Sequence, residues 1–264
     1  MSDHDCVLVT GDLATRGLTP DLRLAYDYIL SPASVSNGYL GSDNRPTLSM
    51  AGRPIILAPG NHDRFKNFVG TPNSIEFENV FASHWSAGPR GVQANRLHGK
   101  SKLDLYIVSA DFTLEDTSCA SPPIPLYAAG QGRCYPSVVA ELIRVTTKIK
   151  TLHPDVGVIW VSHFPPSLNE FTVDGTLKLI DDSGLISAAK HCNIKYIISG
   201  HVHCPALIKG PHTTLIIGGT LCAVPSANGN WINSLAFNYS NGSLALQGVE
   251  MFRFNKTLKD FELA

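Results

Sequence analysis

Short apolar runs that end in polar clusters recur along this chain. The four clearest are Cys6–Thr10 before Gly11-Asp12, Pro54–Pro59 before Gly60–Asp63, Val156–Ser162 before His163, and Ile194–Ser199 before Gly200–His203. Runs this short, rich in Val and Ile and without clean alternation, are typical of strands buried on both faces of a sheet. We therefore predict four core strands, each ending in a polar cluster.

Further strands are predicted by the same kind of pattern. Leu103–Ser109 and Thr213–Ile217 resemble the core strands. The tail is predicted to form antiparallel strands over Ser234–Tyr239, Ser243–Leu246 and Val249–Phe254. Asn241-Gly242 fits a tight turn between the first two of these, because both residue types tolerate a positive φ.

Three helices are predicted between the strands. Thr19-Pro20 favours a helix start, and that helix should continue to about Leu30. Apolar residues fall on one helical stripe over residues 137–152, and Asp182/Ser183 favours another helix start before Cys192. Alternating strands and helices, followed by late strands, indicate an α/β sandwich of mixed sheets.

Two stretches are rich in Gly, Pro, Asn and Ser, at about residues 31–53 and 64–100. We predict that both are long loop insertions over the site, because no second core is evident. The remaining pattern then describes a single domain over residues 1–264.

Composition narrows the classes of partner. Hydrophobic residues make up 44% of the chain and charged residues 16%, which is enough apolar material for a sizeable core. The formal net charge is −1 at pH 7 and no Lys/Arg run occurs, so we expect neither nucleic acid nor a membrane as a partner. The N-terminus shows no signal peptide, and the six cysteines include no C-x-x-C pair. We therefore predict a cytoplasmic protein with reduced thiols.

The polar clusters bring together the side chains that bind transition metals. Strand ends of an open α/β sheet meet at one edge, where ligands bind. The clusters would gather one carboxylate, one amide oxygen and three imidazoles there, from Asp12, Asn61, His163, His201 and His203. A mixed oxygen and nitrogen set without thiolate suits Mn, Fe or Zn. The sequence thus predicts a catalytic metal site.

Gly-Asp, Gly-Asn-His-Asp, a lone His after an apolar strand, and Gly-His-x-His occur in this order between Gly11 and His203. Together they resemble the calcineurin-like metallophosphoesterases, and the resemblance extends from Cys6 to about Phe254. Ser-His-Phe-Pro-Pro, residues 162–166, is most similar to the bacterial cyclic-nucleotide phosphodiesterase branch. The resemblance implies a four-layer α/β/β/α sandwich of two mixed sheets, the metallo-dependent phosphatase type.

The resemblance also implies a role for each residue. Asp12 would bridge two divalent ions of Mn, Fe or Zn. Asn61, His163 and His201 would complete one ion's ligands, and His203 would bind the other. His62 would lie near the leaving group, as general acid or as a phosphate contact. The implied reaction is hydrolysis of a small phosphorylated substrate such as a nucleotide, either a phosphodiester or a phosphomonoester, by a metal-bridging hydroxide.

One family motif is missing upstream of Asp12. The family's first strand ends in Asp-x-His, and only ten residues precede Gly11. Asp3, His4 and Asp5 lie at the wrong end of the strand to replace it. We therefore expect an N-terminally incomplete domain that lacks the first strand. Three interpretations stay open: a late start or fragment, a single-metal enzyme, and a catalytically impaired or non-enzymatic protein-binding scaffold.

Other residues near these motifs depart from the family pattern or fit more than one role. Thr15 stands where the family usually has an acidic residue that orients the imidazole of Gly-Asn-His, which weakens the general-acid role of His62. Arg16 and Arg64 fit either a phosphate contact or a surface position. Asp111 closes a strand-like run and fits either support of the site or a helix or turn cap.

Overall fold

The structure is a computed structural model. It describes residues 4–30, 52–64, 75–87, 91–98, 104–113, 131–169, 171, 177, 179–220, 229–240, 242–255, 257–258 and 260–264. The helices are α1 Thr19–Leu30, α2 Asn61–Arg64, α3 Glu76–Phe81, α4 Pro136–Leu152 and α5 Ser183–His191. The predicted helices at residues 19–30, 137–152 and 183–192 are thereby confirmed to within one residue at each end.

Thirteen strands lie in the described part of the chain. The first seven are β1 Val7–Val9, β2 Ile55–Leu57, β3 Val92–His98, β4 Asp104–Ala110, β5 Gly132–Arg133, β6 Gly157–Ser162 and β7 Leu179–Ile180. The others are β8 Tyr196–Ser199, β9 Ala206–Lys209, β10 Thr214–Ile217, β11 Trp231–Ser240, β12 Ser243–Asn255 and β13 Asp260–Leu263.

A six-stranded mixed sheet forms the centre, in the order β3-β4-β6-β8-β10-β9. Its four inner strands are parallel, and the edge strands β3 and β9 are antiparallel to their neighbours. The strand β6 is buried at all six positions. Its Val158 and Trp160 pack on one side of the sheet, and Ile159 and Val161 pack on the other. This is the burial on both faces that its unbroken apolar run predicts.

Helices and strands cover the two faces of this sheet in layers. One face packs on α4 and α5 through residues such as Leu142 and Leu185. The opposite face packs on β2 and β12, through Ile56 and Leu244. The far side of β2 then packs on α1 and α3, with Leu57 in the same apolar cluster as the aromatic side chains of α3. This order of layers confirms the predicted α/β/β/α sandwich.

The second strand layer contains two separate hydrogen-bonded sheets. The strand β1 pairs in parallel with β2, and β11, β12 and β13 form an antiparallel sheet. Val7–Val9 are partly exposed, so the prediction that this strand is buried on both faces was wrong. Within the described ranges β2 is the one strand bonded to β1, which leaves the other edge of β1 uncovered by a ladder.

Two predicted boundaries also differ from the structure. The segment 64–100 was predicted to be a loop, but its described residues include α3 and the edge strand β3. Most of the other predicted loop, residues 31–51, lies outside the described residues. The predicted strands Ser243–Leu246 and Val249–Phe254 are parts of one strand, β12. Between them the pairing with β11 shifts by one residue, opposite Ala236/Phe237, and then continues.

Candidate metal centre

Four of the predicted site residues lie just beyond the carboxyl ends of strands. Asp12 follows β1, Asn61 follows β2, His163 follows β6 and His201 follows β8. The ends of β6 and β8 are joined by a hydrogen bond of 2.9 Å from the Gly200 N–H to the His163 carbonyl. The fold thus brings residues that are up to 189 positions apart to one edge of the sandwich.

The side chains converge on the Nε2 atom of His163. The Oδ1 atom of Asn61 lies 3.0 Å from it, and the Nδ1 atom of His201 also lies 3.0 Å away. The Oδ2 atom of Asp12 is 3.3 Å from the same nitrogen. Ligand atoms of Asp12, His163 and His201 all lie within 4.8 Å of one another. The structure therefore brings four of the five predicted metal ligands together.

The hydrogen-bond chemistry of this cluster fits a cation. The Nδ1–H of His163 donates to the Thr10 carbonyl at 2.6 Å, so the neutral ring presents a lone pair at Nε2. The Asn61 and Asp12 oxygens that face this nitrogen can only accept. Lone pairs converging at about 3 Å require a shared proton or a positive ion between them. Two imidazoles, an amide and a carboxylate are a donor set that suits a divalent transition metal.

Electrostatics of the cluster favour positive charge as well. Burial alone would lower the pKa of His163, but the adjacent Asp12 carboxylate outweighs it and raises that pKa above its usual range. Burial alone would raise the pKa of Asp12, but the charge and hydrogen bond of His163 hold it well below its usual range. Asp12 is therefore ionised at neutral pH, and a cation beside His163 is stabilised.

The backbone is strained at these positions. Asp12, His201 and His203 have φ values of 56°, 68° and 56°, in the left-handed region that side chains rarely adopt. Such residues persist where the surrounding structure holds them, and they concentrate at functional sites. Gly11, at φ 104°, packs so closely that a Cβ there would lie 2.8 Å from the Gly60 Cα. A residue with a side chain would therefore clash at position 11.

His203 is not among the residues whose ligand atoms lie within 4.8 Å of one another. His201 and His203 both have a left-handed φ, so the backbone between them is not extended. His201 is buried at 8% exposure, whereas His203 is exposed. The part of the His203 ring that is shielded from water still lowers its pKa, and the charge of Asp12 acts on it in the opposite direction. Its role as a ligand stays a prediction.

His62 is held by the backbone of the loop after β1. Its Nδ1–H donates to the Thr15 carbonyl at 2.8 Å, and its backbone N–H donates to Asp12 Oδ1 at 3.0 Å. The acceptor in this bond is the Thr15 backbone carbonyl and not its side chain. A carbonyl oxygen fixes the same tautomer that a carboxylate would fix, with the lone pair of the neutral ring on Nε2.

Asp63 is a site residue that the sequence reasoning did not assign. It has no solvent exposure, and its carboxylate accepts N–H bonds from Gly60 at 2.8 Å and from Ala14 at 2.9 Å. It thereby ties the turn after β2 to the loop after β1. Burial and the nearby charge of Asp12 raise its pKa above its usual range. Its place in the Gly-Asn-His-Asp motif was the signal that could have identified it.

The uncertain assignments are resolved by burial and pairing. Arg16 is half exposed and pairs with Asp21 at 3.0 Å, as a surface position predicts. Arg64 is 1% exposed and pairs with Asp111, so neither the surface position nor the phosphate contact holds for it. Asp111 is also fully buried, and it binds Arg64 directly beyond the end of β4.

The sequence matches the family model for calcineurin-like phosphoesterases over residues 2–205, which is most of its length. The chain belongs to the calcineurin-like phosphoesterase family. Membership of this family places it among the phosphoesterase hydrolases. None of the described helices combines the length and apolar character that crossing a bilayer requires.

Two solved structures are similar to this chain at low sequence identity, and the first of them has the same fold. A dimetal phosphatase from Danio rerio is 12% identical, with a TM-score of 0.53, and the match covers 96% of this chain and 78% of that one. GAP50, the anchor in the inner membrane complex of Plasmodium, is 13% identical with a TM-score of 0.44, and the match covers 94% and 70% of the two chains. A search of curated protein sequences gives no match.

Proposed function

We propose that this chain is a metal-dependent phosphoesterase that hydrolyses phosphodiesters, with a 3′,5′-cyclic nucleotide as its substrate. The observation that carries the proposal is the convergence of Asn61, Asp12 and His201 on His163 Nε2. Family membership supports the reaction class. The similarity of Ser162–Pro166 to cyclic-nucleotide phosphodiesterases supports the substrate.

The residues divide into two groups by the ion that each would hold. Asp12, Asn61, His163 and His201 would hold one Mn, Fe or Zn ion, and His203 with Asp12 would hold a second. Bound ions of this kind lower the pKa of water and stabilise the charge that develops on a phosphoryl group. The described Asp12 and His203 give the second ion only two ligands, which is fewer than a tight site requires.

His62 would act on the leaving group. Its Nδ1–H is bound to the Thr15 carbonyl, so its protonated ring would present Nε2–H toward the substrate. Proton transfer from that atom to the departing alkoxide oxygen avoids the release of an unstable anion. The carbonyl bond also fixes the ring plane, which keeps Nε2 directed at one place.

We also propose a cytoplasmic location. Its support is that the four described cysteines, Cys6, Cys134, Cys192 and Cys204, are all free thiols. Free thiols in this number are typical of reducing compartments.

The test is metal binding and hydrolysis by the 264-residue chain and its His201→Ala variant. We expect the chain to bind Mn²⁺, measured by isothermal titration calorimetry, and to hydrolyse bis(p-nitrophenyl) phosphate and cyclic AMP faster than 5′-AMP. His201→Ala should lose about 10²-fold or more in turnover, because one ligand of the ion is gone.

His98→Ala is the matched control, since His98 is an exposed histidine that pairs with Asp104. It should bind Mn²⁺ and turn over substrate like the parent chain. Faster hydrolysis of 5′-AMP than of cyclic AMP would replace the phosphodiesterase with a phosphomonoesterase. A chain that binds no Mn²⁺ and hydrolyses neither substrate would overturn the proposal.

A further inference from the structure

A buried ion pair involves α2, the short helix that begins at the predicted ligand Asn61. The guanidinium of Arg64 donates to Asp111 Oδ2 from Nε at 2.9 Å and from Nη2 at 2.6 Å. Its Nη1 donates to Glu78 Oε2 at 2.5 Å. The Arg64 and Asp111 side chains are 1% and 0% exposed. An ion pair removed from water to this degree is rare, because the desolvation cost is high unless every partner is satisfied.

The partners of Arg64 are themselves fixed. The second oxygen of Asp111 accepts from the Thr113 N–H at 2.9 Å and from the Thr113 hydroxyl. The guanidinium also stacks on the Phe77 ring, 5.1 Å from its centre. Two salt-bridge partners and an aromatic ring therefore hold the Arg64 head group in one orientation.

This orientation sets the position of the turn that carries the metal ligand. Arg64 is the last residue of α2 and Asn61 is the first, three positions earlier on the same side of the helical turn. The other residues of α2 are bonded to the loop after β1, through the His62 ring and the Asp63 carboxylate. Arg64 is bonded instead to Asp111, just beyond the end of β4, and to Glu78 of α3.

We propose that Arg64 is a positioning residue for the metal centre, and that its ion pair with Asp111 fixes the direction in which Asn61 presents its amide oxygen. The proposal rests on the metal-dependent function proposed above. Arg64 does not bind substrate itself, because its head group is buried and bonded to two carboxylates. Groups that hold ligands in this way typically change metal affinity about 10- to 100-fold when they are removed.

The test compares Arg64→Met with Thr146→Val in the 264-residue chain. Thr146 accepts the buried Trp160 indole N–H at 2.9 Å on the α4 side of the central sheet, so its loss also removes a buried polar contact. We expect Arg64→Met to weaken Mn²⁺ binding at least about tenfold by calorimetry, and Arg64→Lys to fall between it and the parent chain. Thr146→Val should lower the melting temperature and keep the Mn²⁺ affinity within about twofold.

The double variant Arg64→Met/Asp111→Leu covers the case in which Arg64→Met does not fold. Replacing both members of a buried pair with apolar groups leaves no unpaired buried charge. The double variant therefore shows the effect of losing the ion pair on metal binding without that added cost in stability. It should melt above Arg64→Met, in which the Asp111 charge is left buried and unpaired, and still bind Mn²⁺ about tenfold more weakly.

Two results distinguish the two proposals. Parent-like Mn²⁺ affinity in a folded Arg64→Met or double variant would show that the ion pair serves stability alone, and it would overturn this inference only. Failure of the parent chain to bind Mn²⁺ would overturn the metal centre itself.

Discussion

At the level of single residues, the site depends on which atom each side chain presents. The Thr10 carbonyl takes the Nδ1–H of His163 and so turns Nε2 toward Asn61 and Asp12. The Thr15 carbonyl does the same for His62. In both cases the acceptor that orients the ring is a backbone carbonyl. Every residue has such a carbonyl, so the residue type does not reveal it. The sequence therefore predicted which rings would gather but not how they would be oriented.

Backbone conformation explains the position that was predicted least well. Asp12, Asn61, His163 and His201 could be placed at strand ends because each follows an apolar run. His203 comes two residues after His201, and both have a left-handed φ. A pattern of residue types carries no information about such a conformation, so the direction of the backbone after β8 was not predictable.

The pH dependence of metal binding follows from His163. Its pKa is raised, so the proton stabilised by Asp12 is fully present below the ordinary histidine range and is lost only as pH rises through the higher value. An ion must displace that proton. We expect Mn²⁺ affinity to be highest at pH 8 and to fall toward pH 6, by about tenfold per pH unit below that pKa.

Calorimetry in buffers of different ionisation enthalpy measures this proton directly. Near pH 6, about one proton should be released for each Mn²⁺ bound at this cluster. The His98→Ala variant should release the same number, since the exposed His98 lies outside the cluster. An affinity that is flat between pH 6 and 8, without proton release, would mean that the ion binds elsewhere.

At the level of elements, one predicted ligand follows each of the strands β1, β2, β6 and β8, in the turn just beyond the strand's end. The apolar runs predicted β2, β6, β8 and their neighbours well, because burial on both faces leaves a strong signal. The edge strand β3, Val92–His98, was missed because four of its seven positions are partly or fully exposed and carry polar residues. Edge strands need no continuous apolar run, so their composition resembles that of a loop.

Gly60 joins two of these elements through close packing. A Cβ at Gly60 would lie 2.5 Å from the Asp12 backbone nitrogen and 2.9 Å from Cε1 of His163. Gly60→Ala must therefore separate the turn after β2 from the turn after β1. We expect it to lower the free energy of unfolding by about 1–3 kcal/mol, measured in urea, and to weaken Mn²⁺ binding at least about tenfold.

Gly248→Ala is the corresponding control in β12. A Cβ there would meet no atom within 4 Å, and the position lies far along the chain from the site residues. It should leave Mn²⁺ affinity unchanged. Equal effects of the two substitutions would show that close packing at Gly60 does not support the metal centre.

For the whole molecule, the cluster lies where two strand layers meet. Asp12 and Asn61 come from the layer of β1 and β2, whereas His163 and His201 come from the six-stranded sheet. Strand–helix alternation followed by late strands predicted an α/β sandwich, and the resemblance to the family implied its four layers. The pairing of β1 was not predicted, since it depends on neighbours that local patterns do not specify. An ion bound by all four residues would link the two layers noncovalently.

Because a bound ion would join the two strand layers, its binding should stabilise the fold as a whole. A ligand that binds the folded state alone stabilises it by about 2.7 kcal/mol when present at 100 times its Kd. For a chain of this size, that gain raises the melting temperature by roughly 5–10 °C. Scanning fluorimetry should show this rise with saturating Mn²⁺ and its reversal with EDTA.

The location of the stabilisation is what tests the link between layers. If the ion joins them, EDTA should raise amide exchange in both β2 and β6, because opening either layer then no longer requires loss of the ion. His201→Ala should greatly reduce the thermal shift, since it removes one of the two ligands that the six-stranded sheet supplies and leaves His163 alone in that layer to hold the ion. A full thermal shift in that variant would place the bound ion at a different site, and protection confined to a single layer would mean that the ion does not join the two sheets.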